Sequence, residues 1–244
     1  MQTSLLDFRL ERIDTREAAE EASALYIDAL GLDPARYVLN PHLLLSIAAN
    51  GGTAIAARDG ERMIGFCYGF TGIEAGVPYH FSQAAAVTSH ARNRGIGRAL
   101  KRAQAEDVRA EGITSMRWVF DPLKAHNAHL NLDVLGATGI RVVRRLFGTP
   151  ESTRLVVEWR LDRPARDPRP ASMRLPDAAE WGTTVPAERG EWLMIPAEPP
   201  EESVELRERI ADALEAAFDA GRRAVSCRRL SSGTAAVLLA EVDA

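Results

Sequence analysis

The sequence predicts an α/β fold, in which strands and helices alternate along the 244 residues. Three observations predict it. Apolar segments with the two-residue period of a strand alternate with amphipathic segments of helical period. A strand of small residues leads directly into a glycine-rich turn and a helix at residues 84–104. The length and the 46% content of hydrophobic residues are sufficient for a large core without disulfides or a structural metal.

The N-terminal elements are bounded by recognisable caps and turns. Asp14 with Glu17 predicts a capping box, and Gly31 predicts the end of the helix that follows. Asn40 before a proline predicts the start of a second, short helix. The dipeptide Asp59-Gly60 separates two apolar runs and is typical of a hairpin. Strands are therefore expected at residues 6–12, 53–58, 63–71 and 79–88, with the short helix at 43–48.

The remaining elements lie on either side of a change in composition. Residues 160–176 contain four prolines and five arginines, which is typical of a linker or an irregular connection. We therefore predict a main domain at 1–162, a linker at 163–176 and a small C-terminal α/β extension at 177–244. The main domain continues with helices at 95–111 and 125–135 and strands at 115–120, 140–146 and 155–161. The extension has strands near 191–195, 224–228 and 234–242 and an amphipathic helix that stops at Gly221.

Composition argues against several classes of function. The net charge of −4 does not favour a nucleic-acid-binding surface, and no apolar run is long enough to span a membrane. The two cysteines, Cys67 and Cys227, predict neither a disulfide framework nor a metal site. The N-terminus has no pattern of a secretion signal. We therefore expect a cytoplasmic protein with no metal and with no nucleic-acid or membrane partner.

Residues 92–98, Arg-Asn-Arg-Gly-Ile-Gly-Arg, predict a pyrophosphate site. Glycines allow a tight turn and let backbone N–H groups approach a ligand closely. The first turn of the helix that follows adds unpaired N–H groups and a dipole that favours an anion. Arginine side chains suit phosphate geometry. The alternative is a glycine-rich turn before an ordinary helix, with arginines that are merely solvated.

Two familiar phosphate motifs do not fit this segment. A Walker A loop requires GxxxxGK[ST], which the sequence lacks. A dinucleotide fingerprint requires GxGxxG, but Leu100 stands where the last glycine or alanine is needed. The pattern RxxGxG is satisfied by Arg92, Gly95 and Gly97.

The strand before the turn changes from polar to small side chains. Its alternation predicts that one face carries His80, Ser82, Ala84, Ala86 and Thr88. A bare face leaves room for a thin, extended ligand whose amides pair with the strand. The pantetheine arm of coenzyme A has this shape. The alternative is close packing of a helix against the small residues.

Residues 87–100, Val-Thr-Ser-His-Ala-Arg-Asn-Arg-Gly-Ile-Gly-Arg-Ala-Leu, resemble the coenzyme A signature of the GNAT acyltransferases. The order of predicted elements over residues 6–161 also fits that family. The resemblance implies a mixed central sheet flanked by helices, and acetyl-CoA or another acyl-CoA as co-substrate. It implies that main-chain N–H groups at 94–98 hold the pyrophosphate. The cofactor-binding residues that it implies are Ala86, Val87, Thr88, Arg92, Asn93, Arg94, Gly95, Ile96, Gly97, Arg98 and Asn127.

One feature of the family is missing. The family usually has a tyrosine on the helix after Asn127, but all four tyrosines, at 26, 37, 68 and 79, lie elsewhere. The usual proton donor to the thiolate therefore cannot be assigned. A thiol with a pKa of about 8.5 can leave without strong acid help. His129 or a water could substitute, and the alternative for His129 is a helix-surface or capping role.

The expected reaction is attack of an amine on the thioester carbonyl. The enzyme must position both reactants and the amine must lose a proton. His80 and Ser82 are candidates for the base, with Glu74 as another, and the alternative for His80 is a structural hydrogen bond. A backbone N–H of the same strand would polarise the thioester oxygen.

A carboxylate on the acceptor would need a cation. Arg144 and Arg154, near the ends of the predicted strands that border the acceptor cleft in this fold, are candidates, and a solvated strand edge is the alternative. Residues 118–123, 127–136 and 154–159 are similar to a GNAT subgroup with an added C-terminal α/β segment. Some of its members are associated with N-succinylation of amino acids, which would make succinyl-CoA the donor.

The sequence thus predicts an N-acyltransferase that moves an acetyl or succinyl group from coenzyme A to a small amine. Two other functions remain open: a non-catalytic acyl-CoA-binding regulatory module, and a binder of another phosphate compound. The extension at 177–244 contains no recognisable chemistry. It is expected to cap the acceptor site, to extend the sheet or to make a contact in a homodimer.

Overall fold

A computed structural model describes residues 7–163, 174–201 and 204–242. The chain forms two compact units, Met1–Met116 and Arg117–Ala244. The helices are α1 Arg16–Leu30, α2 Pro41–Ala49, α3 Ile96–Ala110, α4 Ala125–His129 and α5 Val204–Asp219. The strands are β1 Arg9–Arg12, β2 Thr53–Asp59, β3 Arg62–Glu74, β4 Val77–Val87, β5 Ser115–Phe120, β6 Thr138–Val143, β7 Arg154–Arg160, β8 Thr184–Ala187, β9 Gly190–Pro196, β10 Arg223–Arg229 and β11 Thr234–Ala240.

The first unit is built on an antiparallel sheet in the order β1-β2-β3-β4. Alternate residues of β2 pack into different layers, as the two-residue period of a strand requires. Ala54 and Ala56 pack with α1 and α2, whereas Ile55 and Ala57 pack with α3. The hairpin predicted at Gly60 is present, and that glycine has a φ of +58°. Helices therefore cover both faces of the sheet.

The ends of α1 and α2 follow the sequence signals with one correction. The predicted cap at Asp14 is wrong, because Thr15 is the N-cap of α1 and its hydroxyl accepts from the N–H of Ala18 at 3.2 Å. Gly31 ends the helix in the left-handed conformation, as predicted. Asn40 caps α2 through its side chain, also as predicted.

The second unit has strands in the order β5-β7-β6-β10-β11-β9-β8. The predicted helix at 125–135 is interrupted, because α4 ends at His129 and continues as a π-helical turn, Leu130–Val134. The side-chain oxygen of Asn131 in this turn accepts from the indole N–H of Trp118 at 3.1 Å. Such turns are frequent at functional sites.

The C-terminal extension adds strands beside β6. Ala224 of β10 pairs with Gly139 of β6, and a side chain at Gly139 would stand 2.8 Å from the methyl of Ala224. Strand β8, which the sequence did not predict, pairs with β9. Most of the predicted linker, residues 164–173, lies outside the described residues, and the predicted domain boundaries stay predictions. Across the described ranges, no helix is both long and apolar enough to cross a bilayer.

Candidate active site

The loop before α3 has the geometry of an anion site. Asn93 and Gly95 are left-handed, with φ of +63° and +78°. Gly95 is the N-cap of α3, and no side chain caps this helix, so the N–H groups of Ile96, Gly97 and Arg98 have no intrahelical partner. Around Gly95 and Gly97, no described heavy atom beyond their chain neighbours lies within 4 Å of an added Cβ. The loop thus combines open space with aligned donors.

Buried and polar contacts fix this loop on the first unit. Ile96 is fully buried against β2 and β3. The guanidinium of Arg94 donates to the carboxylate of Asp59 at 3.1 Å, and that of Arg92 donates to the carbonyl oxygen of Ala29 at 3.1 Å. Two of the predicted phosphate-binding arginines therefore also bind protein groups, which orients the loop on α1 and β2.

The strand residues predicted to hold pantetheine lie immediately before the loop. Ala86 is buried with the side chains of α1 and α2, and Val87 packs with those of α3. Thr88 is buried, and its hydroxyl donates to the carbonyl of Ile64 at 3.2 Å. These contacts fix the end of β4 where it enters the loop.

Strand β4 contains a β-bulge that the sequence pattern did not predict. Ser82 pairs with Gly69 and Ala84 pairs with Tyr68, so Gln83 has no register partner on β3. The prediction that one face carries His80, Ser82, Ala84, Ala86 and Thr88 is therefore wrong. The side chain of Ser82 bonds to α3, whereas that of Ala84 packs with the cluster of α1 and α2.

His80 and Ser82 belong to a buried chain of hydrogen bonds. The amine of Lys101 donates to Ser82 Oγ at 2.6 Å, and this hydroxyl donates to Gln104 Oε1 at 2.6 Å. Gln104 Nε2 donates to Thr53 Oγ1 at 2.7 Å, which lies 3.0 Å from His80 Nε2. All five side chains are less than 10% exposed. This hydrogen-bonded network therefore joins α3, β2 and β4 within the core.

Burial controls the protonation of the two titratable groups in this network, His80 and Lys101. Burial, with a smaller contribution from Lys101, lowers the pKa of His80 to about 4. Burial lowers the pKa of Lys101 to about 7. His80 is therefore neutral at pH 7, and its Nε2 shares a hydrogen bond with the hydroxyl of Thr53. The side chains of both predicted base candidates on β4, His80 and Ser82, are therefore buried in the core.

Sequence reasoning missed Lys101, Gln104 and Thr53. A signal was present in α3, because Lys101 and Gln104 lie on the buried face of that helix beside Leu100 and Val108. A lysine and a glutamine on an apolar helix face usually need a buried partner. The partners lie on β2 and β4, far away in sequence, so the network itself could not be predicted from helix periodicity.

The second unit places Asn127 and His129 on the short helix α4. His129 Nδ1 lies 3.2 Å from Asp133 Oδ2 and 3.2 Å from the carbonyl oxygen of Cys227. The hydrogen bond to Asp133 raises the pKa of His129, and burial opposes it. Asp133 in turn accepts from Ser226 Oγ and from the N–H of Cys227 at 2.7 Å each. Two residues along a helix differ by about 200°, so Asn127 and His129 point to different sides of α4.

The two predicted substrate arginines have different surroundings. The guanidinium of Arg144 binds three carboxylates of α5, those of Glu208, Asp212 and Glu215. The hydrogen bond to Glu215 contributes most to raising the pKa of Arg144. Arg154 donates through Nη1 to the carbonyl oxygens of Glu151 and Thr153, at 2.8 and 2.9 Å, and lies 5.9 Å from the ring centroid of Phe147. Of these two arginines, only Arg144 is thus paired with carboxylates.

A family model matches the part of the chain that carries the loop. The model of the acetyltransferase (GNAT) family covers residues 16–131, from α1 through β5 to the π-helical turn after α4. Residues 16–131 form a GNAT acetyltransferase domain. The loop at 92–98 lies within the matched residues. A search among curated proteins finds no match to the sequence.

Solved structures share the GNAT fold with this chain. YncA from Salmonella typhimurium, solved with its cofactor acetyl-CoA, is 15% identical over 66% of this chain and 98% of that one, with a TM-score of 0.53. Ard1 from Thermoplasma volcanium is 13% identical over 64% and 99%, with a TM-score of 0.52. The ribosomal-protein-S18-alanine N-acetyltransferase from Escherichia coli is 13% identical over 63% and 94%, with a TM-score of 0.51.

The comparisons confirm the predicted fold class and the class of enzyme. The chain has the GNAT fold, a mixed sheet flanked by helices, with further strands and a helix at the C-terminal end. The domain at residues 16–131 is of the GNAT type, a family of acyl-CoA-dependent N-acyltransferases. The three solved structures cover about two thirds of the chain.

Proposed function

We propose that this GNAT protein transfers an acetyl or succinyl group from coenzyme A to the α-amine of a free amino acid. The observation that carries the proposal is the loop at 92–98, where two left-handed residues and an uncapped helix N-terminus present main-chain donors to open space. The open positions at Gly95 and Gly97 fit a pyrophosphate, because no side chain occupies the space over the donors.

Most of the residues proposed to hold the acyl donor lie in one segment, residues 86–98. Main-chain N–H groups of Ile96, Gly97 and Arg98 bind the pyrophosphate, with the charge of the neighbouring arginines. Ala86 and Val87 on β4 lie beside the pantetheine arm. In the second unit, the side-chain amide of Asn127 is the group proposed for pantetheine. Coenzyme A supplies a thioester whose thiol is a good leaving group.

The bulge in β4 supports polarisation of the thioester. A bulged residue leaves the ladder with the strand that it bulges from, so its backbone N–H does not bond to that strand. Gln83 is exposed and has no partner in the register with β3. We propose that the main chain at Gln83 and Ala84 donates to the thioester oxygen as negative charge develops on it.

The enclosure of His80 and Ser82 supports an acceptor with a weakly basic amine. Neither side chain reaches the surface, since His80 is 1% and Ser82 is 3% exposed. An α-amine with a pKa of about 8 needs roughly 1.4 kcal/mol to become neutral at pH 7, whereas a lysine needs roughly 4.6 kcal/mol. Solvent alone can therefore deprotonate an amino acid, so the reaction does not require a buried base.

The orientation of the His129 side chain supports departure of the thiolate without a proton from this histidine. Its imidazole binds Asp133 and the β10 carbonyl of Cys227, and it points about 200° away from Asn127. A ligand held by Asn127 therefore does not meet His129. We propose that His129 joins α4 to β10 and that water returns the proton to the thiolate.

Arg154 is the proposed partner for the acceptor carboxylate. Its Nε and Nη2 make no hydrogen bond to another described residue, and burial lowers its pKa, as expected for a guanidinium withdrawn from water. The planar fork of an arginine matches a carboxylate. Arg144 is the weaker candidate because carboxylates of α5 already bind it.

A screen of donors against acceptors tests this function. Acetyl-CoA and succinyl-CoA would be combined with D- and L-amino acids, their amides and a lysine peptide, and release of free thiol would be followed. We expect turnover with free amino acids and at least tenfold less, as an order of magnitude, with the corresponding amides. Turnover of peptide lysine alone would overturn the acceptor assignment. Calorimetric binding of coenzyme A with no turnover of any acceptor would support a regulatory module instead.

A further inference from the structure

The bulge at Gln83 is fitted closely to its surroundings. It lies opposite Gly69 of β3, where an added Cβ would come within 2.4 Å of His80 Nε2 and 2.5 Å of the carbonyl oxygen of Phe81. A glycine is therefore required at this position for the strand to bulge with His80 beneath it. Real Cβ atoms do not approach other atoms so closely.

Lys101 brings a titratable amine to the residue before the bulge. The amine lies 2.6 Å from Ser82 Oγ, on a side chain that is only 7% exposed. Two of the 30 basic residues are lysines, Lys101 and the exposed Lys124, and all others are arginines. An arginine keeps its charge at every physiological pH, whereas a lysine can be buried as a neutral amine that still donates a hydrogen bond.

We propose that Lys101 is a positioning residue for acyl transfer, because its amine, through Ser82, holds the main chain of Gln83 in the bulged conformation. This inference rests on the proposed function, in which the main chain at the bulge donates to the thioester oxygen. Lys101 itself lies behind the strand and acts through Ser82. Displacement of a catalytic donor by about 1 Å can cost about 100-fold in rate.

The protonation of Lys101 makes this support sensitive to pH. Two titratable groups interact with its amine. Cys67 of β3 raises the pKa of Lys101, and Lys101 in turn lowers the pKa of His80 of β4. Asp107 of α3 raises the pKa of Cys67. Burial dominates and leaves the pKa of Lys101 at about 7. Below that pH the buried ammonium favours conformations that expose the amine to water, which requires separation of α3 from Ser82.

Hydrogen exchange without substrate tests the link between the amine and the bulge. Amide protection at residues 82–86 would be measured from pH 6 to 8 for the wild type, Lys101→Met and Ser82→Ala. Arg102→Met removes an exposed cation from the same helix and is the matched control. We expect both core variants to lose about tenfold of the protection, with no change in the control. We also expect protection in the wild type, corrected for intrinsic exchange, to fall below about pH 7, and this fall to be absent in Lys101→Met.

Because the sequence contains two lysines, the pKa of the Lys101 amine can also be measured directly. With lysine labelled at Cε, the signal that disappears in Lys101→Met identifies Lys101, and its titration midpoint should be near pH 7. A midpoint above about 9.5 would overturn the proposed dependence on pH, because the amine would then stay charged throughout the range from pH 6 to 8.

Kinetics then separate positioning from binding. With an acceptor found in the screen, Lys101→Met should lower kcat about 10- to 100-fold and change the KM for acyl-CoA less than about twofold. Equal kcat in the two proteins, or unchanged protection at 82–86, would overturn the inference. If the wild type turns over no acceptor but protection still falls in Lys101→Met, the proposed function fails while the link between Lys101 and the bulge is supported.

Discussion

Ser82 and Ala84 pair with adjacent residues of β3 although Gln83 stands between them, and their side chains consequently enter different layers. One extra residue thus separates the polar half of β4 from its small-residue half. The polar half is bonded to α3, and the small half leads into the loop at 92–98. The strand can therefore be rigid behind the bulge and open at the end where coenzyme A is proposed to bind.

Gly97→Val should weaken binding of acyl-CoA without weakening the fold. The position has open space around it, so the fold tolerates a side chain, but that side chain occupies the space proposed for the pyrophosphate. Loss of one charge-assisted hydrogen bond costs about 1.5–3 kcal/mol, so Kd should rise at least about tenfold. Calorimetry with coenzyme A measures the change.

Gly233→Val is the control for this substitution. Gly233 also has open space around it, and it lies in the turn between β10 and β11 of the second unit. Its Kd for coenzyme A should equal that of the wild type. An unaltered Kd in Gly97→Val would contradict the assignment of the loop as the pyrophosphate site.

The loop was predictable because its determinants are local. Left-handed backbone at Asn93 and Gly95, and an uncapped helix start at Ile96, all follow from residues within one short segment. Hairpin and cap signals at Gly60, Gly31 and Asn40 succeeded for the same reason.

The bulge was not predictable because its determinants are distant. A strict two-residue period assumes an unbroken ladder, and only the pairing with Gly69 shows that Gln83 is inserted. The partners of Lys101 likewise lie on other strands, at Ser82 directly and at Thr53 through Gln104. His80 and Ser82 therefore had the residue types of a base but not the exposure of one.

Stability should depend on pH through His80. Burial holds its pKa at about 4 in the folded state, against 6.5 when unperturbed. Between these two pH values the unfolded state therefore binds more protons than the folded state. The free energy of unfolding consequently rises as pH increases through this window, and the contribution of His80 is lost as pH falls towards 4. The contribution is on the order of 3 kcal/mol. Urea unfolding at about pH 4.5, 5.5 and 6.5 measures the slope.

His80→Gln should reduce that slope, whatever its effect on absolute stability, because the glutamine does not titrate. His126→Gln on α4, where the histidine is exposed, is the matched control and should keep the wild-type slope. Identical slopes for wild type and His80→Gln would show that His80 is not buried as a neutral imidazole.

Arg207→Met should destabilise the second unit strongly. The guanidinium of Arg207 binds both carboxylate oxygens of Asp121, at 2.5 and 3.2 Å, and its side chain is only 5% exposed. Removal of one partner leaves a largely buried charge unpaired, which costs about 3–5 kcal/mol. Urea unfolding measures the loss.

A double-mutant cycle separates the pair from simple packing. The combination of Arg207→Met with Asp121→Asn should be less destabilised than Arg207→Met alone, because no unpaired charge remains. Arg209→Met, which removes a half-exposed arginine of the same helix, should change stability by less than about 0.5 kcal/mol. Strictly additive effects of the two core substitutions would contradict a coupled ion pair.

Arg154→Ala should weaken recognition of the acceptor and not of the donor. If its free guanidinium nitrogens bind the acceptor carboxylate, their loss removes about 1.5–3 kcal/mol, which raises the KM for the amino acid about 10- to 100-fold. The KM for acyl-CoA should stay within about twofold. Arg160→Ala, at the other end of β7 and paired with Asp162, is the matched control and should change neither KM.

A comparison of two acceptors tests the role of Arg154 more directly than a comparison of two KM values. An amino acid and the amine that lacks its carboxylate differ only in the group that the arginine is proposed to bind. The wild type should prefer the amino acid, and Arg154→Ala should lose most of that preference because the carboxylate then has no partner. A preference that survives in Arg154→Ala would assign carboxylate recognition to another cation, and Arg144 would then be the next residue to substitute.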